Sequence, residues 1–109
     1  MRYMMMTKDD ASSAGTPPSP ELYAAMGKLI EEMSKAGVLL ATGGLSPNPT
    51  RIKSSGGKIT VTDGPFTEAK EAVVGFALVE AKSKEEAIEL SKRFWQVVGD
   101  GQGEIYEVF

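Results

Sequence analysis

Strand-like and helix-like segments follow one another along the 109 residues in the order β-α-β, hairpin, β-α-β. This order predicts an α+β domain with the ferredoxin-like, split βαβ plan, in which a β-hairpin is inserted between the two halves. A chain of this length forms one domain, so residues 1–109 are predicted to fold as a single unit.

Two helices are predicted, and each begins at a serine cap. Ser19 is followed by proline and an acidic residue, which favour the first helical turn, and the apolar residues recur at helical spacing until Gly37 ends the helix. Ser83 and Glu86 form a capping box for the second helix, whose apolar residues continue to Val98.

The strands are predicted from runs of apolar and β-branched residues bounded by turn residues. They cover residues 3–7, 38–45, 51–55, 58–62, 73–80 and 104–109. Gly56 and Gly57 predict a two-residue hairpin turn, because both positions of such a turn need positive φ. Residues 8–19 are predicted as a surface loop, residues 68–72 as a helical turn and residues 99–103 as a loop.

The strand over residues 73–80 is apolar on both faces. Val74, Phe76 and Leu78 point to one side, and Val73, Gly75, Ala77 and Val79 to the other. Two helices can cover one face of a four-stranded sheet, so a second copy of the chain is expected on the other face. The predicted partner is therefore a homodimer, with a cleft between the sheets as the natural ligand pocket.

Composition excludes several classes of function. The chain has no cysteine and no histidine, which removes disulfides, thiolate nucleophiles and the commonest general base and zinc ligand. Twelve basic and fifteen acidic residues are mixed along the chain, so nucleic acid is not an expected partner. No apolar run approaches the ~20 residues that span a membrane. A cytoplasmic protein without cofactor or metal is expected.

A rigid turn over residues 63–71, Asp-Gly-Pro-Phe-Thr-Glu-Ala-Lys-Glu, contains the candidate site. Asp63 is the candidate catalytic acid or base, with Arg51 or Lys70 available to hold an anionic substrate. The alternative is structural, with Asp63 capping the turn and pairing with Lys70, while Gly64 allows positive φ. The candidate ligand-binding residues are Arg51, Gly64, Pro65, Phe66, Glu68, Lys70 and Glu71.

The chain contains the motif Asp63-Gly64-Pro65-Phe66 together with characteristic segments at residues 35–39, 43–45, 61–71 and 75–76. In this motif and these segments the chain resembles the YCII-related proteins, specifically the branch named for its DGPF motif. The resemblance covers nearly all of residues 3–109, and it implies a ferredoxin-like subunit that forms a dimeric α/β barrel. Many members of the wider family pair a histidine with an aspartate, and that pair has no counterpart here. Some relatives occur with extracytoplasmic-function sigma factors.

Three functions stay open from the sequence. The first is a small-molecule enzyme, or a degenerate enzyme, with its site in the intersheet cleft near Asp63. The second is a non-catalytic ligand-binding or regulatory module, which resemblance connects with sigma-factor systems, and the third is an oligomerisation domain without a ligand. The absence of histidine favours a non-catalytic function.

Overall fold

The computed structural model of the protein describes residues 1–10, 19–46, 48–64, 66 and 71–109, without the side chains of Asp10 and Glu71. In these residues it contains two helices and six strands, and the fold is α+β as predicted. The elements are β1 (Arg2–Asp10), α1 (Pro20–Lys35), β2 (Leu39–Gly44), β3 (Thr50–Ser55), β4 (Lys58–Asp63), β5 (Glu71–Glu80), α2 (Lys84–Val98) and β6 (Gln102–Val108).

Four of the strands form an antiparallel sheet in the order β2-β5-β1-β6. Each β-α-β half therefore has its two strands separated by a strand of the other half, which is compatible with the predicted ferredoxin-like plan. β3 and β4 form a separate antiparallel pair. The turn between them has φ 58° at Gly56 and 78° at Gly57, which confirms the predicted conformation of this glycine pair.

The helix ends follow the chemistry of their caps. The Ser19 hydroxyl accepts a hydrogen bond from the backbone N–H of Leu22 at 3.2 Å, and the Ser83 hydroxyl accepts one from Glu86 at 3.2 Å. Gly37 follows α1 with φ 76°, in the left-handed conformation that commonly ends a helix. All three signals were predicted and are confirmed.

A predicted loop and a predicted helical turn are wrong where they meet the sheet. β1 continues through residues 8–10, which were predicted as loop, and β5 begins at Glu71 and Ala72, which were predicted as helical. The reason is mutual pairing, because Asp9 lies opposite Ala72 and Asp10 opposite Glu71. β6 also begins two residues early, at Gln102, since that residue pairs with Lys8. The rest of the two predicted segments, residues 11–18 and 68–70, lies outside the described residues.

The hydrophobic core lies between the helices and one face of the sheet. Tyr3 and Val79 are 2% and 0% exposed there, on the adjacent strands β1 and β5. The other face carries Met4, Phe76 and Leu78, which are half-buried. Among the described residues, no helix is long and apolar enough to span a membrane.

The remaining members of the core come from both helices and from the chain after β5. They are Leu29, Met33, Ala81, Ala87 and Leu90.

Candidate functional site

A cavity of about 630 Å³ lies between the two helices and the sheet. Its volume falls within the range of roughly 300–1,000 Å³ that small-molecule sites occupy. Most of its walls are apolar side chains, with backbone exposed where glycines occur. The side chains from the helices are Tyr23, Met26, Leu29, Ile30, Met33, Leu90, Ser91, Phe94 and Trp95.

The floor of the cavity is a row of small residues that crosses all four strands. Gly44 on β2 pairs with Gly75 on β5, Gly75 pairs with Thr7 on β1, and Thr7 pairs with Gly103 on β6. Three of these four positions are glycines. A Cβ would lie 2.9 Å from the Thr7 hydroxyl oxygen at Gly75 and 2.5 Å from the Met6 backbone oxygen at Gly103, so these two glycines allow close approach of neighbouring atoms. We name this set, Gly44, Gly75, Thr7 and Gly103, the glycine row.

The indole of Trp95 closes one end of the cavity over the glycine row. A Cβ placed on Gly103 would lie 3.1 Å from the Trp95 ring and 2.5 Å from the backbone oxygen of Met6. A Cβ on Gly101 would lie 2.6 Å from the same ring. The two glycines therefore let the indole approach the backbone of β6, while Phe94 packs edge-on against it at 5.2 Å between ring centroids.

Few polar groups line the cavity. Thr7 lies on its floor and Asp9 at the end of the same strand, two residues further along. Thr42 donates a hydrogen bond from its hydroxyl to the backbone oxygen of Phe76 at 2.9 Å. These groups can orient a ligand, but the described lining offers no thiol, imidazole or amine that could act as a nucleophile or neutral base. The cavity is therefore suited to binding a mainly apolar molecule.

The turn that was predicted as the site lies elsewhere, at the base of the β3–β4 hairpin. Asp63 is exposed and accepts a hydrogen bond from the Thr50 hydroxyl at 2.8 Å, from the residue opposite it in the hairpin. The Arg51 guanidinium lies over the ring of Phe66 at 3.7 Å from the ring centre. The structure thus brings three predicted site residues to one place, but neither Asp63 nor Arg51 lines the cavity.

Gly64 has a different role from the predicted one. Its φ is not positive. Instead, its N–H donates to the backbone oxygen of Pro49 at 2.8 Å, and a Cβ at this position would lie only 2.9 Å from that oxygen. Glycine is needed here for close backbone approach, so the prediction of a left-handed residue is wrong.

The other predicted ligand-binding residues cannot be placed in the site. Pro65, Glu68 and Lys70 lie outside the described residues, and so does the side chain of Glu71, whose backbone begins β5.

A polar cluster is formed by Lys8 of β1 with Glu104 and Tyr106 of the neighbouring strand β6, and Glu104 also borders the cavity. The Lys8 ammonium is 2.6 Å from a carboxylate oxygen of Glu104, and the Tyr106 hydroxyl donates to the same oxygen at 2.9 Å. The hydrogen bond from Lys8, with that from Tyr106, lowers the pKa of Glu104. The same bond to the carboxylate raises the pKa of Tyr106. The cluster therefore holds a carboxylate in its charged form.

The sequence reasoning missed both the glycine row and this polar cluster. The three glycines were visible in the sequence, at a strand end, within a strand and in a loop, but recognising a row requires the strand register. Among the residues that the structure describes, no three His, Cys, Asp or Glu residues are grouped so that they could hold a metal ion.

The fold and the cavity define a small α+β protein with space for a small molecule between helices and sheet. The YCII-related domain matches residues 1–109, and the chain belongs to that family. An uncharacterized protein of Rhizobium meliloti (strain 1021) is 39% identical over 41 residues. That match covers 38% of this chain and 33% of the relative, so it spans about a third of the relative's length.

A solved structure with the same fold covers the whole chain. It is the 5-chloro-2-hydroxyhydroquinone dehydrochlorinase TftG from Burkholderia phenoliruptrix AC1100, in complex with 2,5-dihydroxybenzoquinone. Its TM-score is 0.54 at 15% identity, and the match covers 100% of this chain and 94% of that chain. At this identity the likeness shows a shared fold.

Proposed function

We propose that this YCII-related protein binds a small, mainly apolar molecule in the cavity above the glycine row. The observation that carries the proposal is the cavity itself, since about 630 Å³ is more than a close-packed interior leaves open. Flexible methionines and several aromatic rings line it, which suits a planar or irregular ligand. The fold neighbour, which is a small-molecule enzyme by name, supports a ligand of this size class.

The test uses Gly27 of α1, which borders the cavity and has no atom within 4 Å of the position of a Cβ. Gly27→Phe places a ring at this border, whereas Gly27→Ala adds one methyl group. The probe is N-phenyl-1-naphthylamine, a neutral apolar dye that fluoresces in apolar surroundings. Trp95 is the single tryptophan of the chain, so energy transfer from its indole reports bound dye, and the Gly27 variants show whether that dye lies in the cavity.

We expect the wild type and Gly27→Ala to bind the dye with equal affinity and Gly27→Phe to bind at least about tenfold more weakly, a difference of about 1.4 kcal/mol. Gly27→Ala should also stabilise α1 by about 1 kcal/mol, which shows that the helix tolerates substitution. Dye that binds Gly27→Phe as well as it binds the wild type would contradict a ligand site in this cavity.

We further propose that the protein is a homodimer in which the uncovered sheet face packs on that of a second copy. Four half-buried apolar residues, Met4, Met6, Phe76 and Leu78, support this proposal. Sedimentation equilibrium at micromolar concentration should give twice the mass of the 11.6 kDa chain. A monomer at all concentrations would exclude the dimer.

The second candidate function is catalysis in the intersheet cleft, with Asp63 as acid or base. It is favoured by the exposure of the Asp63 carboxylate to solvent and by the Arg51 cation at the same hairpin base. The test compares chloride release from 5-chloro-2-hydroxyhydroquinone by the wild type and by Asp63→Asn. Release that requires Asp63 supports catalysis, and equal rates with and without the protein exclude it for this compound.

A further inference from the structure

A second cavity, of about 470 Å³, adjoins the one above the glycine row. We call the first the larger cavity and the second the smaller cavity. The two have lining residues in common, which are Thr7, Asp9, Val74, Phe94 and Trp95. The rest of the lining of the smaller cavity is formed by Lys8, Leu22, Val98, Asp100 and Gly101.

Two elements of the fold place the smaller cavity beyond Trp95. Along β1 the lining changes from Met5 in the larger cavity to Lys8 in the smaller one. Along α2 it changes in the same way, from Leu90 in the larger cavity to Val98 in the smaller one. Trp95 lies between these two residues of α2 and belongs to both linings, so its indole stands at the boundary.

The chain that follows α2 holds the indole at this boundary. The Gly99 N–H donates a hydrogen bond to the backbone oxygen of Trp95 at 2.9 Å, and Gly99 has φ 87°, so the chain turns there. It then passes against the ring, where a Cβ would lie 2.6 Å from a ring carbon at Gly101 and 3.1 Å at Gly103. The ring therefore cannot shift toward these glycines without displacing backbone.

We propose that Trp95 sets the maximum length of the ligand by separating the smaller cavity from the larger one. The proposal rests on ligand binding in the larger cavity, as proposed above, and makes Trp95 a residue that determines specificity. Leu22, Val74 and Val98 give the smaller cavity apolar walls, so apolar groups that reached it would be buried there. The ring, and not the polarity of the space beyond it, excludes a longer molecule.

The larger cavity on this account takes a compact, neutral molecule. Its floor extends along β5 from Val74 to Val79, about 17 Å at the usual rise per residue. The charged side chains of its described lining are Asp9 and Glu104, with no lysine or arginine among them. An anionic chain therefore finds no counter-charge on these walls, and neutral chains of graded length are the appropriate probes.

The test measures displacement of N-phenyl-1-naphthylamine, excited directly, by unbranched primary alkanols from octanol to hexadecanol. For the wild type we expect the affinity to rise about fourfold with each methylene group until the chain fills the larger cavity, and then to stop rising. Trp95→Leu removes the ring, so the rise should continue for about two further methylene groups. The alkanol at that length should bind Trp95→Leu at least about tenfold more tightly than it binds the wild type.

The matched control is Val98→Ala, which enlarges the smaller cavity alone and should keep the wild-type length limit. Gly101→Ala is a second variant that retains the tryptophan. Its methyl group would lie 2.6 Å from the ring and on the side of the smaller cavity, so the ring must move toward the larger one. The length limit should then shorten by about one methylene group.

Circular dichroism shows whether each variant is folded. A folded Trp95→Leu protein with the wild-type length limit would overturn the proposal, and if that variant does not fold, an unchanged limit in Gly101→Ala would do so. In either case alkanol binding itself stands, and only the separation by Trp95 is lost. Failure of every alkanol to displace the dye would overturn ligand binding in the larger cavity as well, which the Gly27 variants test separately.

Discussion

Replacing Gly64 by alanine tests the close backbone contact at the hairpin base. The new Cβ would lie 2.9 Å from the Pro49 backbone oxygen and 3.3 Å from both a ring carbon of Phe66 and the Pro49 side chain. The nearest neighbour is backbone, so relief requires the chain to move. Overpacking of this kind costs about 1–3 kcal/mol. Loss of the 2.8 Å Gly64–Pro49 hydrogen bond adds about 0.5–1.5 kcal/mol. Together the two ranges give about 1.5–4.5 kcal/mol, and we expect a loss in the lower half of that range, near 2 kcal/mol.

The assay is urea unfolding followed by Trp95 fluorescence, with thermal unfolding beside it. A loss of about 2 kcal/mol corresponds to a fall in Tm of roughly 8–16 °C for a domain near this size. Gly27→Ala is the control, because alanine has open space there and should stabilise its helix. A Gly64→Ala protein within about 0.5 kcal/mol of the wild type would refute the argument from close approach.

Three further predictions concern single contacts. A double-mutant cycle with Arg51→Met and Phe66→Leu, measured by urea unfolding, should give a coupling of about 0.5–1 kcal/mol, and a value of zero would show that the stacking does not stabilise the turn. Ser83→Ala should cost about 1 kcal/mol by removing the cap of α2, whereas Ser83→Asp should restore most of it at neutral pH. Tyr106→Phe removes one donor to Glu104, whose pKa is lowered in the folded protein, so its contribution is present above the ordinary value of 4.5 and is lost as pH falls. The wild-type advantage over Tyr106→Phe should therefore shrink between about pH 7 and about pH 3 in chemical unfolding, and a constant difference would contradict this.

Local chemistry was enough to predict the elements whose ends are decided by a few neighbouring atoms. A serine hydroxyl at Ser19 or Ser83 can satisfy a backbone N–H three residues on, wherever the helix packs. Gly56 and Gly57 similarly adopt positive φ because a two-residue turn requires it. The order of elements followed from these ends, and with it the α+β class.

The sheet ends could not be predicted in the same way. Lys8 to Asp10 are polar and resemble a loop, but they pair with β5, and pairing is a property of two distant segments. Gly64 shows the same limit on a smaller scale. Its neighbours in sequence indicate a turn that needs positive φ, while the partner that requires glycine is Pro49, fifteen residues earlier.

The candidate site depends even more on register. Gly44, Gly75 and Gly103 are far apart in sequence and have separate local explanations, as a strand end, a strand interior and a loop. Only when β2, β5, β1 and β6 are paired do they form one row beside Thr7 along the floor of the cavity. A sequence without histidine directs attention to carboxylates, and so to Asp63, whereas the cavity lies over this row of small residues.

The two faces of the sheet therefore differ in the function that we propose for them. On the helix side, the glycine row forms the floor of the cavity and Trp95 closes one end of it. On the other side, the half-buried apolar residues Met4, Met6, Phe76 and Leu78 are the surface on which we propose that a second copy packs. Asp63, Gly64 and Phe66 lie at the hairpin base and do not line the cavity. Their contacts with Thr50, Pro49 and Arg51 join the two ends of the hairpin, so these three residues of the motif stabilise the hairpin base.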